Sequence, residues 1–170
     1  ELTTGLDLVK LQIHAAGGGR LEGDPPPTVG YAIEARLNAE DPQRAFAPAP
    51  GTIDTLTFPV GPGLRVDTGV AEGDVIPAEY DSMIAKIIAH GSNRHEALAR
   101  LNRALSQTTV LVRGGTTNKS FLLDLLSRPD PRQPSTGRRG YRSAAGCARW
   151  CTHRPARAPC GRGSRAGAAS

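Results

Sequence analysis

From Arg128 to Ser170 the chain contains no Leu, Ile, Val or Met. A segment without aliphatic side chains cannot bury enough apolar surface to offset the entropy of ordering it. Any hydrophobic core must therefore come from residues 1–127. The same boundary divides the charge. Ten of the 21 basic residues, all Arg, and one of the 16 acids, Asp130, lie in 128–170, which leaves 11 basic and 15 acidic residues, a net of −4, for 1–127. The overall +5 describes neither part and does not by itself point to nucleic acid. Cys147, Cys151, Cys160 and Trp150, the single Trp, also fall in the last quarter.

Within 1–127 the punctuation comes from Gly and Pro. "TTGLDLVKLQIHAAGGG" has Leu6, Val9, Ile13 and Ala16 at helical spacing, Thr3 or Thr4 as the expected cap, and Gly17 to Gly19 as the stop. Three consecutive prolines make "RLEGDPPPTVG" a loop. "YAIEARLN" alternates, with Tyr31, Ile33, Ala35 and Leu37 on one face and Glu34, Arg36 and Asn38 on the other, so a strand is predicted. "TIDTLTF" and "LRVDTG" read as further strands separated by the "PVGPG" turn. "DSMIAKIIAHG" is short, Ile-rich and closed by Gly91, which predicts a buried strand. "SNRHEALARLNRALSQ" is a helix capped by Ser92 or Asn93, with Ala97, Leu98, Leu101 and Leu105 in one stripe. "TTVLV" returns as a strand. "TTNKSFLLDLLS" predicts a short capped helix with Phe121, Leu122 and Leu125 inward. This order predicts an α+β domain: an antiparallel sheet meander with packed helices, ending near Ser127.

No catalytic constellation is complete on residue pattern alone. A phosphate-cradling GxxxxGK[ST] and an HExxH are both absent from the sequence. His14, His90 and His95 are scattered, and Cys147, Cys151, His153 and Cys160 would need ordered backbone to hold zinc. No apolar run approaches the ~20 residues that a bilayer-spanning helix needs, and the N-terminus lacks the basic and apolar regions of a signal peptide. Arg65, in the middle of "GLRVDTG", shares a strand face with Asp67. It is either a solvated side chain or a guanidinium held on rigid backbone to grip a ligand.

The ordered blocks "YAIEARLNAEDP", "FAPAPGTI", "GPGLRVDTG", "YDSMIAKIIAHGSNRHEALARL" and "TTNKSFLLDLL" resemble the C-terminal domain of biotin carboxylase, the ligase component of acyl-CoA, pyruvate and related carboxylases. The resemblance covers 1–127. It implies that 1–19 is the end of the last helix of a preceding ATP-grasp domain, that 20–127 is the C-terminal domain, and that 128–170 is a low-complexity tail, disordered or frame-shifted. It further implies that Arg65 contacts the ureido oxygen of biotin, as both the catalytic and the substrate-binding residue. Negative charge gathers on that oxygen as the ureido nitrogen loses its proton, and a preorganised guanidinium stabilises it.

The partners implied are the ATP-grasp half of the same enzyme, the biotin carboxyl carrier domain, and a second copy in a homodimer to which "AHGSNR" contributes. The setting implied is cytoplasmic. ATP and Mg2+ belong to the intact enzyme rather than to these residues. Of an upstream "NxRxQVEHxVTE" motif only Glu1 is present, so the expectation is a fragment without catalysis of its own. Asp81, Ser82 and Lys86 match family positions without a required chemical role; Asp81 and Ser82 are expected to cap or turn the backbone. Glu34 and Arg36 are expected to pair. Tyr31 stands where relatives carry His. For 128–170, the abundance of Gly, Arg, Ala and Pro suggests GC-rich DNA read in another frame. The competing expectation is a basic arm that makes this a non-enzymatic module binding acidic partners or nucleic acid.

Overall fold

The computed structural model describes residues 1–128; the expectations for 129–170, including the cysteine and His153 cluster, lie outside them. In chain order the elements are α1 (Leu8–Ala16), β1 (Tyr31–Asn38), β2 (Glu40–Asp41), a 3-10 turn (Pro42–Arg44), β3 (Ala47–Pro48), β4 (Gly51–Thr57), β5 (Leu64–Thr68), β6 (Val75–Ile76), β7 (Met83–Gly91), α2 (Arg94–Gln107), β8 (Thr109–Arg113) and α3 (Lys119–Ser127). The fold is the antiparallel α+β class predicted. Its strands are not joined in sequence order: β7 lies between β1 and β5, β4 lies between β6 and β8, and β2 pairs with β3.

The Ile-rich run becomes the centre of the first sheet because it can bury both neighbours' apolar positions. β7 pairs antiparallel with β1 from Tyr31↔Gly91 to Leu37↔Ala85, and with β5 from Leu64↔Ala89 to Thr68↔Ala85. Its odd positions Ala85, Ile87 and Ala89 are buried, while Lys86, Ile88 and His90 are half-buried. One core cluster joins Ala35, Ile87 and Ala89 to Leu101, Ala104 and Leu105 of α2 and Leu122 of α3. A second joins Leu37, Ala39, Ile84 and Ala85 to Ile53, Ile76 and Val112, tying the first sheet to β4, β6 and β8.

α2 begins as expected at Asn93, whose Oδ1 accepts the Glu96 N–H at 3.0 Å, a cap worth about 1 kcal/mol. α1 departs from expectation. Gly5 takes a left-handed φ of +71° and interrupts the path from Thr4, so the helix starts only at Leu8. Asp7, rather than Thr3 or Thr4, caps it, its Oδ1 accepting the Lys10 N–H at 2.9 Å. No residue of α1 is buried, and Leu8, Val9 and Ile13 are exposed. In α3, Leu122 is buried, and Phe121, Leu123 and Leu126, rather than Leu125, pack beside it. Asn118 precedes α3 without capping it by its side chain.

That uncommitted amide serves another purpose. Asn118 Oδ1 accepts the Asn38 N–H at 3.0 Å, and Asn118 Nδ2 donates to the Arg36 carbonyl at 3.1 Å. Asn38 Nδ2 donates to Glu40 Oε1 at 2.9 Å, and the Ser82 hydroxyl donates to the same oxygen at 3.0 Å. Three sequence blocks thus meet in one polar knot. Ser82 belongs to this bridge rather than to a simple turn, whereas Asp81 turns the backbone by accepting the Met83 N–H at 3.0 Å.

Candidate functional site

The outer face of the β1–β7–β5 sheet carries the charged residues of these strands. Cross-strand register places Glu34, Ile88 and Arg65 in one row and Arg36, Lys86 and Asp67 in the next. Residues directly opposite in an antiparallel pair share a face with Cβ atoms ~5 Å apart, so the two rows are adjacent. Glu34 and Arg36 form the expected ion pair, Arg36 Nε to Glu34 Oε1 at 3.1 Å.

Arg65 has two carboxylate partners. Its Nε donates to Asp67 Oδ1 at 2.8 Å and its Nη1 to Glu1 Oε2 at 2.6 Å. Asp67 was visible in the sequence as the i+2 residue on the same strand face. Glu1, 64 positions away, was recognisable only as the last letter of an upstream motif, with nothing to signal its contact with Arg65. Its hydrogen bonds to Asp67 and then to Glu1 hold the guanidinium even more firmly protonated than usual. In return, the Arg65 hydrogen bond, followed by the Leu8 N–H at 3.2 Å, holds the Glu1 carboxyl below the usual glutamate range. Arg65 Nη2 makes no hydrogen bond among the described residues. The side chain as a whole is 44% exposed.

The strand that carries Arg65 is fixed from below. The turn into β5 passes through Gly63 at φ +71°, and a Cβ there would strike the Arg100 guanidinium and the His90 carbonyl. The His90 N–H donates to Gly63 O at 2.8 Å, and Arg100 Nη1 donates to His90 O at 2.5 Å. Arg100 also reaches Glu96 Oε1 at 2.5 Å. Glu96 in turn accepts the Ser92 N–H and hydroxyl at 2.7 and 2.6 Å, and these bonds, with Arg100 behind them, lower its pKa. The start of α2 is thereby tied to the turn that aims Arg65.

The other singled-out residues lie elsewhere. His14 Nε2, on α1, is 3.2 Å from Arg20 O, and His90 Nε2, on β7, is 3.0 Å from Val29 O; both carbonyls belong to the segment between α1 and β1. Tyr31 accepts a hydrogen bond from Arg94 Nη1 at 2.9 Å, with the guanidinium 5.4 Å from its ring centroid. Tyr31 thus joins the "AHGSNR" segment at the far end of β1. Among the described residues no group of three or more His, Cys, Asp or Glu is placed to hold a metal ion. No helix among them is long and apolar enough to cross a membrane.

Comparison with known proteins bears on the fold and the family. The Mycobacterium leprae biotin-dependent acyl-coenzyme A carboxylase alpha3 subunit is 51% identical over 112 residues, 65% of this chain and 19% of its own length. Bacillus subtilis biotin carboxylase 1 is 45% identical over 128 residues, 74% of this chain and 28% of the relative. The crystal structure of the Hydrogenobacter thermophilus 2-oxoglutarate carboxylase biotin carboxylase domain dimer, in complex with MgADP, ADP and bicarbonate, superposes with a TM-score of 0.70 at 38% identity, covering 75% of this chain and 28% of that one. The chain spans less than a third of the length of these relatives. A family model for the biotin carboxylase C-terminal domain matches residues 34–137, more than half of the chain, from the β1 face through Arg65 to α3, and the chain belongs to that family.

Proposed function

We propose that residues 20–127 form the part of a biotin carboxylase that presents Arg65 to the ureido oxygen of biotin, with 1–19 closing the ATP-grasp unit before it. The observation that supports this reading is the state of Arg65. It stands on β5, an edge strand whose residues Leu64 to Thr68 each pair with β7, with Nε and Nη1 held by carboxylates and Nη2 uncommitted among the described residues. A planar acceptor such as a ureido carbonyl fits that donor. Biotin supplies the ureido nitrogen that accepts the carboxyl group. Arg65 Nη2–H donates to the ureido oxygen, and the guanidinium stabilises the charge that grows there. As Arg65 turns toward the oxygen, Glu1 Oε2 loses its strongest partner and its proton affinity rises. The same carboxylate is then placed to receive the ureido proton.

The described residues do not fit ATP or Mg2+: they include no metal-holding group, and the sequence has no phosphate cradle. Nucleotide and bicarbonate chemistry is assigned to the ATP-grasp half of the enzyme. The carrier domain brings biotin, and the "AHGSNR" segment contributes to a homodimer. The proposed setting is the cytoplasm, where ATP and bicarbonate are supplied.

The test is a chimera in which residues 1–128 replace the matching segment of Bacillus subtilis biotin carboxylase 1. It should show bicarbonate-dependent ATP hydrolysis stimulated by free biotin. Arg65→Ala should lower kcat about 10²–10³-fold, the loss typical of one oxyanion donor. Arg65→Lys should lose less but not recover, since an ammonium lacks the fixed fork. An active chimera whose Arg65→Ala variant keeps its full biotin-dependent rate overturns the reading.

A further inference from the structure

We infer that Lys86 is a positioning residue that takes over Asp67 when Arg65 turns to its ligand, an inference that rests on the reading of Arg65 above. The outer sheet face holds three cations, Arg36, Lys86 and Arg65, with Glu34 and Asp67 beside them and Glu1 arriving from the N-terminal segment. Arg36 is committed to Glu34, and Arg65 to Asp67 and Glu1. Lys86 carries no ion pair or hydrogen bond among the described residues, although Asp67 is its direct cross-strand neighbour on β5. On the β1 side its direct neighbour is Arg36, which repels it. The opposite face of β7 is packed by apolar residues of α2 and offers no charge to it. Of the two residues directly opposite Lys86, only Asp67 attracts it, and the diagonal carboxylate, Glu34, is already paired with Arg36.

Releasing Arg65 Nε from Asp67 would otherwise leave a carboxylate whose side chain is only 40% exposed without a counter-charge. A lysine has the reach and rotational freedom to close the short cross-strand gap, and Lys86 is half-buried. The exchange conserves charge. Before it, Arg65 bridges two carboxylates and Lys86 is spare. After it, Lys86 holds Asp67, and Arg65 is free for a developing oxyanion beside Glu1. Lys86 thereby lowers the cost of moving the guanidinium without touching the ligand.

The experiment is ammonium NMR on the full chain, reading the coupling transmitted through a hydrogen bond from Lys86 15Nζ to the Asp67 carboxyl carbon. In the unsubstituted chain no such coupling is expected. In both Arg65→Ala and Arg65→Gln, the second retaining a polar side chain of similar length, the coupling should appear and Lys86 proton exchange with water should slow. Asp67→Asn should abolish both changes. A purely structural lysine would give the same signal in all these chains. Coupling already present with Arg65 intact, or absent in both Arg65 variants, overturns the inference. Adding saturating free biotin to the unsubstituted chain provides a separate arm. If the coupling appears in the variants but not with biotin, the hand-over stands and the assignment of biotin to Arg65 falls.

Discussion

The two faces of the β1–β7–β5 sheet are built by the same three strands and do opposite work. On the inner face Ala35, Ile87 and Ala89 are sealed under α2 and α3. On the outer face Glu34, Arg36, Lys86, Arg65 and Asp67 bring both signs together, and the ion pairs among them are partly exposed. Exposed ion pairs of this kind contribute little to stability. The comparison therefore assigns rigidity to the apolar side and chemistry to the charged side. Arg65 can be an oriented donor because the residues one position along its neighbouring strand are immobilised by packing rather than by charge.

The largest effect that would break this comparison is in folding. Ile87 is fully buried, and Ile87→Ala should cost about 2–5 kcal/mol through lost burial and the cavity left behind. Ile88, one residue on but facing the charged side between Glu34 and Arg65, should cost about 1 kcal/mol or less on truncation to Ala. Urea unfolding of the full chain measures both. Equal losses would mean that the outer face is also a load carrier, and the division of labour would fail.

Next in size is the polar knot that joins β1 to α3. Asn118→Ala removes the acceptor of the Asn38 N–H and a donor to the Arg36 carbonyl, both in partly buried surroundings. A loss of about 1–3 kcal/mol is expected from stranding those groups. Asn93→Ala, which removes the cap of α2, should cost about 1 kcal/mol. Asn118 is the informative partner because Asn38 Oδ1 is itself buried without a hydrogen bond among the described residues. The same unfolding curves rank the two variants. A smaller loss at Asn118 than at Asn93 would mean that the knot adds nothing beyond ordinary capping.

These examples also mark how far the sequence could be read. Local signals held: the alternation of "YAIEARLN", the Ile run of β7 and the Asn93 cap each depend on residues within a few positions of one another. The cap of α1 was misplaced because the left-handed turn at Gly5 blocks the path from Thr3 and Thr4, and pattern alone shows a permitted helix rather than a broken one. The two-residue strands β2, β3 and β6 are too short to alternate at all. At the candidate site, Arg65 and Asp67 on one face followed from strand periodicity. Glu1 against Arg65 and Asn118 against Asn38 join residues 64 and 80 positions apart, and no local pattern encodes such a meeting.

The smallest effect sharpens the comparison most directly, because it asks whether the outer face organises charge without holding the fold. Glu1 titrates below the usual range chiefly because Arg65 donates to it. A depressed carboxyl contributes stability that is present above its unfolded pKa and is lost as pH falls through the folded value. In Arg65→Ala the Glu1 midpoint, followed by carboxyl 13C NMR, should rise toward the ordinary glutamate range, and the Leu8 N–H should keep it from rising fully. The stability difference between the two chains should be widest above the ordinary range and should vanish once pH lies below the folded value. Because both side chains are partly exposed, that difference should be small beside the loss at Ile87, even though the shift in Glu1 is clear. A large stability loss in Arg65→Ala would give the pair a structural role. An unmoved Glu1 would separate the two groups and leave Arg65 without the carboxylate that the proposed chemistry places beside it.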